Sequence, residues 1–138
     1  MKVFISYNSE NEDFAELVKM KLKEKGIQVW IAAHGIRAGK EWRQEIDKGL
    51  REYDVVVVLL NKISTKSPYV TYEWAFALGI GKTIIPVLTE ECEIHPRLEA
   101  VQYIDFQGKI KPWEKLIATI KEDNTANDTI KVGDLTVE

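Results

Sequence analysis

Six consecutive apolar residues, Val55-Val56-Val57-Val58-Leu59-Leu60, follow Asp54 with no polar residue among them. A strand with one wet face alternates apolar and polar side chains. A β-branched run without alternation has to be covered on both faces, which is the position of a central strand in a parallel sheet. At about 2 kcal/mol per buried side chain, the run supplies on the order of 10 kcal/mol of gross burial. The rest of the chain therefore has to provide helices for both sides of it.

It has the segments to do so. A strand over Lys2 to Ser6 precedes Ser9, which with Glu12 forms a capping box. Phe14, Leu17, Val18 and Leu22 follow at helical spacing, and Gly26 ends that helix. A second strand, Ile27 to Ile31, leads into Ala32-Ala33-His34-Gly35-Ile36-Arg37-Ala38-Gly39, a loop with two glycines. A helix from about Lys40 to Glu52 then carries Trp42, Ile46 and Leu50 on one side. Beyond the valine run come a polar loop to Pro68 and an apolar helix, Tyr69 to Leu78, closed by Gly79 and Gly81. A fourth strand, Thr83 to Leu88, a loop through Pro96, a fifth strand over Val101 to Phe106 and a last helix begun at Pro112 complete the order. Strand and helix alternation of this kind predicts an α/β chain with a three-layer, flavodoxin-like fold: a five-stranded parallel sheet with helices on both faces. One domain over residues 1–121 suits a chain of 138 residues. Residues 122–138, with Asn124-Thr125-Ala126-Asn127-Asp128, read as a polar linker or the start of a further domain, and a piece of a longer protein is expected.

Charge and cysteine content narrow the partners. The formal net charge is -3, and the five acids and two bases from Lys121 to Glu138 account for all of it. A balanced remainder does not attract nucleic acid or an anionic membrane, and neither is expected as a partner. The single cysteine, Cys92, precludes an internal disulfide and a cysteine-based metal site. With no signal-peptide pattern at Met1 to Ser6 and no run long enough to span a bilayer, a cytoplasmic protein is expected.

Common chemistries fail on position. Gly81-Lys82-Thr83 lacks the earlier glycine of a phosphate-binding loop, Phe76 standing there, and it joins a helix to a following strand, the reverse of the required order. A phosphate-accepting receiver needs an aspartate closing the third strand, where Leu59-Leu60-Asn61 stands. A flavin site would want a glycine in the first loop, and Ser6 to Asp13 has none. His34 and His95 are too few for a histidine-based metal site, so no metal is expected. No Gly-x-Ser-x-Gly elbow occurs, and Cys92 between Glu91 and Glu93 lacks the electropositive setting of a nucleophile.

Three groups of residues carry a resemblance. They are Val3-Phe4-Ile5-Ser6-Tyr7 before a capped helix; Gly26-Ile27-Gln28-Val29-Trp30, the glycine loop ending Ile36-Arg37-Ala38-Gly39-Lys40, then Trp42 and Ile46; and the valine run, Ser67-Pro68-Tyr69-Val70, Glu73 and Ile84-Ile85-Pro86-Val87-Leu88. In this order over residues 1–120 the chain resembles the Toll/interleukin-receptor (TIR) family, of the prokaryotic NAD-consuming type. The resemblance implies cleavage of the nicotinamide–ribose bond of NAD+, a substrate and not a cofactor, with Glu73 in the position of the family's catalytic glutamate. Nicotinamide leaves as a neutral pyridine, so one carboxylate that stabilises the ribosyl cation suffices, unlike the carboxyl pair of ordinary glycosidases. The alternative for Glu73 is a solvated helix position, but Tyr69, Phe76 and Ala77 share its helical face and Tyr72 and Trp74 adjoin it, so partial desolvation is expected.

Tyr69 stands where enzymatic relatives carry tryptophan, and either stacks on nicotinamide or is a core aromatic. Ser6 and Tyr7, at the carboxyl end of the first strand, are candidates to line the NAD+ pocket; for Ser6 a helix-opening hydrogen bond is the alternative. Arg37 and Lys40 are either phosphate partners or surface cations. His34, Gly35, Ile36 and Gly39 lie in the loop that in this family docks on a neighbouring copy, unless Ile36 folds back on its own core. The expected function is an NAD+ glycohydrolase or cyclase giving nicotinamide and ADP-ribose or a cyclic isomer, in defence signalling and activated by homotypic self-association with other TIR domains. A non-catalytic TIR interaction module and a nucleotide sensor that binds NAD+ without cleaving it are the other readings.

Overall fold

A computed structural model describes residues 1–31 and 42–122, the side chains of 42–46 excepted. Five strands, β1 (Lys2–Ser6), β2 (Gln28–Ile31), β3 (Val55–Leu60), β4 (Thr83–Leu88) and β5 (Ile104–Asp105), form one parallel sheet in the order β2-β1-β3-β4-β5. The helices are α1 (Glu12–Lys23), α2 (Trp42–Arg51), α3 (Pro68–Gly79), α4 (Pro96–Ala100) and α5 (113–122). The flavodoxin-like three-layer expectation holds.

The parity of β3 divides the core. Val55, Val57 and Leu59 join Val3 and Ile5 against Ala15, Val18 and Leu22 of α1 and Leu116 and Ile120 of α5. Val56, Val58 and Leu60 join Phe4 against Leu50 of α2, Val70, Trp74 and Ala77 of α3 and Leu98 of α4. All six β3 side chains are buried, as a strand covered on both faces requires. Ser6 has the parity of Phe4, which turns it towards the α3 side of the sheet.

Three local expectations are corrected. The capping box at Ser9 does not form: Asn8 Oδ1 accepts from Glu10 N at 2.9 Å and starts a 3-10 turn, Ser9–Asn11, ahead of α1. Asn11 then precedes α1 without a side-chain cap: its backbone, at φ -100° and ψ 15°, lacks the extended conformation of a capping residue, and its Nδ2 donates to Thr89 Oγ1 at 3.1 Å. The loop before the last strand contains α4, whose first residue is Pro96. Finally, β5 is two residues long, not six. Leu88 O accepts from Phe106 N at 2.9 Å, so Pro86, of the same parity, would have to donate to the segment before Ile104 and has no N–H to give.

α3 starts where Ser67 Oγ accepts from Val70 N at 3.3 Å with Pro68 in the first turn. Gly81 ends it at φ +83°, with Lys82 N donating to Ala77 O at 2.9 Å. Gly81-Lys82-Thr83 is thus a helix stop of the left-handed kind and not a phosphate loop.

Candidate functional site

The carboxyl edge of the sheet is built from the ends of β1, β3 and β4. After β3, Asn61 Oδ1 accepts from Ile63 N at 3.1 Å and Ser64 N at 2.6 Å, while Ser64 Oγ accepts from Asn61 N at 2.8 Å. Both side chains are buried, and this closed turn fixes the approach to α3. After β4, Thr89 Oγ1 donates to Leu60 O at 2.8 Å and accepts from Asn11, tying the first loop to the middle of the sheet. Neither pair was singled out from sequence. For the first, the signal was present: Asn and Ser three residues apart directly after a strand.

Against this edge α3 sets Glu73, whose exposure is 0%. Ser6, also fully buried, donates its hydroxyl to Glu73 Oε1 across 67 positions of sequence. Val70, Trp74 and Ala77 bury the same side of the helix. The solvated alternative for Glu73 is therefore excluded, and its desolvation is complete where partial desolvation was expected. The Ser6 hydroxyl serves Glu73 and not the opening of α1.

Tyr7, 6% exposed, follows directly. Burial, and then the charges of Glu12, Glu16 and Glu73, push its hydroxyl above the ordinary tyrosine range. Tyr69, one turn before Glu73, is 37% exposed, so it is not a core aromatic; Val70 takes the inward position beside it. Tyr72 donates to Asp47 Oδ1 of α2 at 2.6 Å and stacks on Phe76 at 5.8 Å, with Arg51 over the outer ring at 5.4 Å. Trp74 turns to the other flank and meets the edge of His95 at 5.1 Å.

The structure thus brings Ser6 and Glu73 together, while Tyr7 packs in the core on the α1 and α5 face within electrostatic reach of Glu73, and Tyr69 is exposed one turn earlier on α3. Arg37, Lys40, His34, Gly35, Ile36 and Gly39 lie outside the described residues. His95 caps α4, its Nδ1 accepting from Arg97 N at 3.1 Å. Burial and the neighbouring Glu90 raise the Cys92 thiol, against a smaller opposite effect of Lys62, which leaves it a poor nucleophile. Among the described residues no group of three or more His, Cys, Asp or Glu side chains is placed to hold a metal, and no helix is long and apolar enough to cross a membrane. A carboxyl group withdrawn from water and held by a hydroxyl at this edge is suited to stabilising positive charge on a bound ligand.

The sequence profile of the family described as "TIR domain" matches residues 3–120. A probable 2′ cyclic ADP-D-ribose synthase, TcpO, of Methanobrevibacter olleyae is 33% identical over 73 residues, 52% of this chain and 21% of that protein. The 2′ cyclic ADP-D-ribose synthase AbTIR of Acinetobacter baumannii (strain 1295743) is 35% identical over 90 residues, 62% of this chain and 34% of that protein. The chain spans about a fifth and a third of the length of these curated relatives. Among solved structures, the TIR domain of the Toll-related receptor TRR-2 from Hydra magnipapillata superposes with a TM-score of 0.65 at 20% identity, covering 91% of this chain and 95% of that one.

Proposed function

The chain belongs to the TIR domain family, and from that membership we propose that it consumes NAD+ by breaking the nicotinamide–ribose bond, with Glu73 as the catalytic carboxylate. The observation that carries this reading is the placement of Glu73, buried at the carboxyl edge of the sheet with Ser6 on one of its oxygens. As the bond to nicotinamide breaks, its electron pair leaves with the ring nitrogen and positive charge builds on the anomeric carbon. A carboxylate beside the ribose hydroxyls stabilises that charge more than it stabilises the neutral sugar, which is the condition for acceleration. Low surrounding polarity strengthens the effect.

The names of the two relatives support a cyclised product. In such a step a 2′-hydroxyl oxygen of the same nucleotide bonds to the anomeric carbon and releases its proton to solvent. Water in its place would give ADP-ribose. Tyr69 is assigned to the nicotinamide ring, Tyr7 to the pocket wall, and Arg37 and Lys40 to the phosphates. The reaction belongs in the cytoplasm, where a lone Cys92 stays reduced.

Glu73 is closed to solvent in this conformation, so substrate can reach it only when the site opens. That requirement fits activation by self-association through the loop carrying His34, Gly35, Ile36 and Gly39, and a role in a defence response. The same closure favours a second reading, a TIR module that assembles without catalysis and in which Glu73 is structural.

Incubation with NAD+ at high protein concentration separates the two. The enzymatic reading expects nicotinamide together with a product one water lighter than ADP-ribose, and neither from Glu73→Ala. No nicotinamide at any concentration would leave the assembly module.

A further inference from the structure

We propose that Ser6 is a positioning residue for the reaction, holding the Glu73 carboxylate in place from inside the sheet; this rests on the enzymatic reading above. Glutamate has three side-chain torsions, and a carboxylate free to sample them would meet a ribose in many orientations. Here one oxygen is engaged by the Ser6 hydroxyl, and both residues are at 0% exposure.

The origin of that hydroxyl determines what it can do. Ser6 ends β1, which pairs with β2 on one side and β3 on the other, and Ser6 itself stands opposite Val58. Its backbone cannot shift without breaking that register, and its side chain has a single torsion before the oxygen. A donor so constrained is preorganised: it costs little entropy to hold and does not move as charge develops. It is a fixed prop and not a latch that substrate displaces. The sheet thereby sets the orientation of the carboxylate before NAD+ arrives, and the benefit falls on the chemical step.

The test is steady-state nicotinamide release by the parent protein, Glu73→Ala, and three variants of Ser6. Ser6→Ala is expected to lower kcat about 10- to 100-fold with KM within about threefold, the signature of an interaction that matters in the transition state. Ser6→Cys, nearly the same volume with a weak donor, should behave like alanine and guards against an effect of packing. Ser6→Thr keeps the hydroxyl and suits a strand, and should retain most of kcat. Melting curves confirm that each variant is folded.

Ser6→Ala with parental kcat, while Glu73→Ala is inactive, would overturn the proposal and leave the enzymatic reading standing. A raised KM at unchanged kcat would make Ser6 a substrate contact and also overturn it. A threonine variant no better than alanine would assign the loss to packing, with the same consequence. A parent protein that releases no nicotinamide would remove the enzymatic reading and this proposal together.

Discussion

Withdrawing a glutamate wholly from water is costly, because its carboxyl group gives up its water contacts and protein groups have to replace them. Glu73 is in that position, with 0% exposure. Glu73→Gln keeps an acceptor for the Ser6 hydroxyl and removes the ionisable group. We predict that it melts at the parental temperature or up to about 4 °C above it while losing activity, the exchange expected where function is held at the expense of stability; a marked fall in melting temperature would make Glu73 a structural residue. Tyr7 gives a pH prediction. Its pKa is raised above the ordinary 10.0, by burial and then by Glu12, Glu16 and Glu73. The folded state therefore holds that proton more tightly than the unfolded chain, so the stabilisation is complete below pH 10.0 and is lost as pH rises through the folded value. Denaturant titrations as pH is raised beyond 10.0 should show stability falling, and falling less steeply in Tyr7→Phe. Part of the fall should remain, because burial also raises Tyr53 and Cys92. The desolvation of Glu73 was expected from Tyr69, Phe76 and Ala77 at helical spacing, but of these only Ala77 is fully buried, and Val70 and Trp74 complete the inner side of the helix. The partner of Glu73 was not legible in sequence, because a contact across 67 positions leaves no local periodicity to read.

At the scale of elements, Trp30 of β2 is held by Phe4 at 4.7 Å and by Tyr53, stacked at 5.7 Å. A Cβ added to Gly49 of α2 would lie 2.8 and 2.9 Å from the Trp30 ring. Alanine there gains about 1 kcal/mol of helix propensity against overpacking of about 1–3 kcal/mol, and the ring, clamped on two sides, cannot yield cheaply. Gly49→Ala should therefore lower the melting temperature, and adding Trp30→Leu should recover part of the loss; a Gly49→Ala protein more stable than the parent would show that the ring moves freely. Apolar periodicity placed α1 correctly but overcounted its inner face: Ala15, Val18 and Leu22 are buried while Leu17 remains 39% exposed. Its opening was misread because Asn8 and Asn11 found partners ahead of and across from the helix, and β5 was overextended because the donor missing at Pro86 acts on a neighbour distant in sequence.

For the whole molecule, one run of six residues, Val55–Leu60, dictated a sheet covered twice, and its parity sorts every core helix to one face or the other. The sheet order, with β1 beside β3 at its centre, is what brings the end of β1 under α3 and so joins Ser6 to Glu73. Under the proposed enzymatic reading this closed carboxylate has to be opened, and self-association is the switch we propose for it. The most direct measurement is nicotinamide release per mole of protein across a range of protein concentrations, for the parent and for Glu73→Gln. Release should rise with concentration in the parent and be absent throughout in the variant. Equal release by both proteins would contradict the role of Glu73, since the bond would then break without the carboxylate.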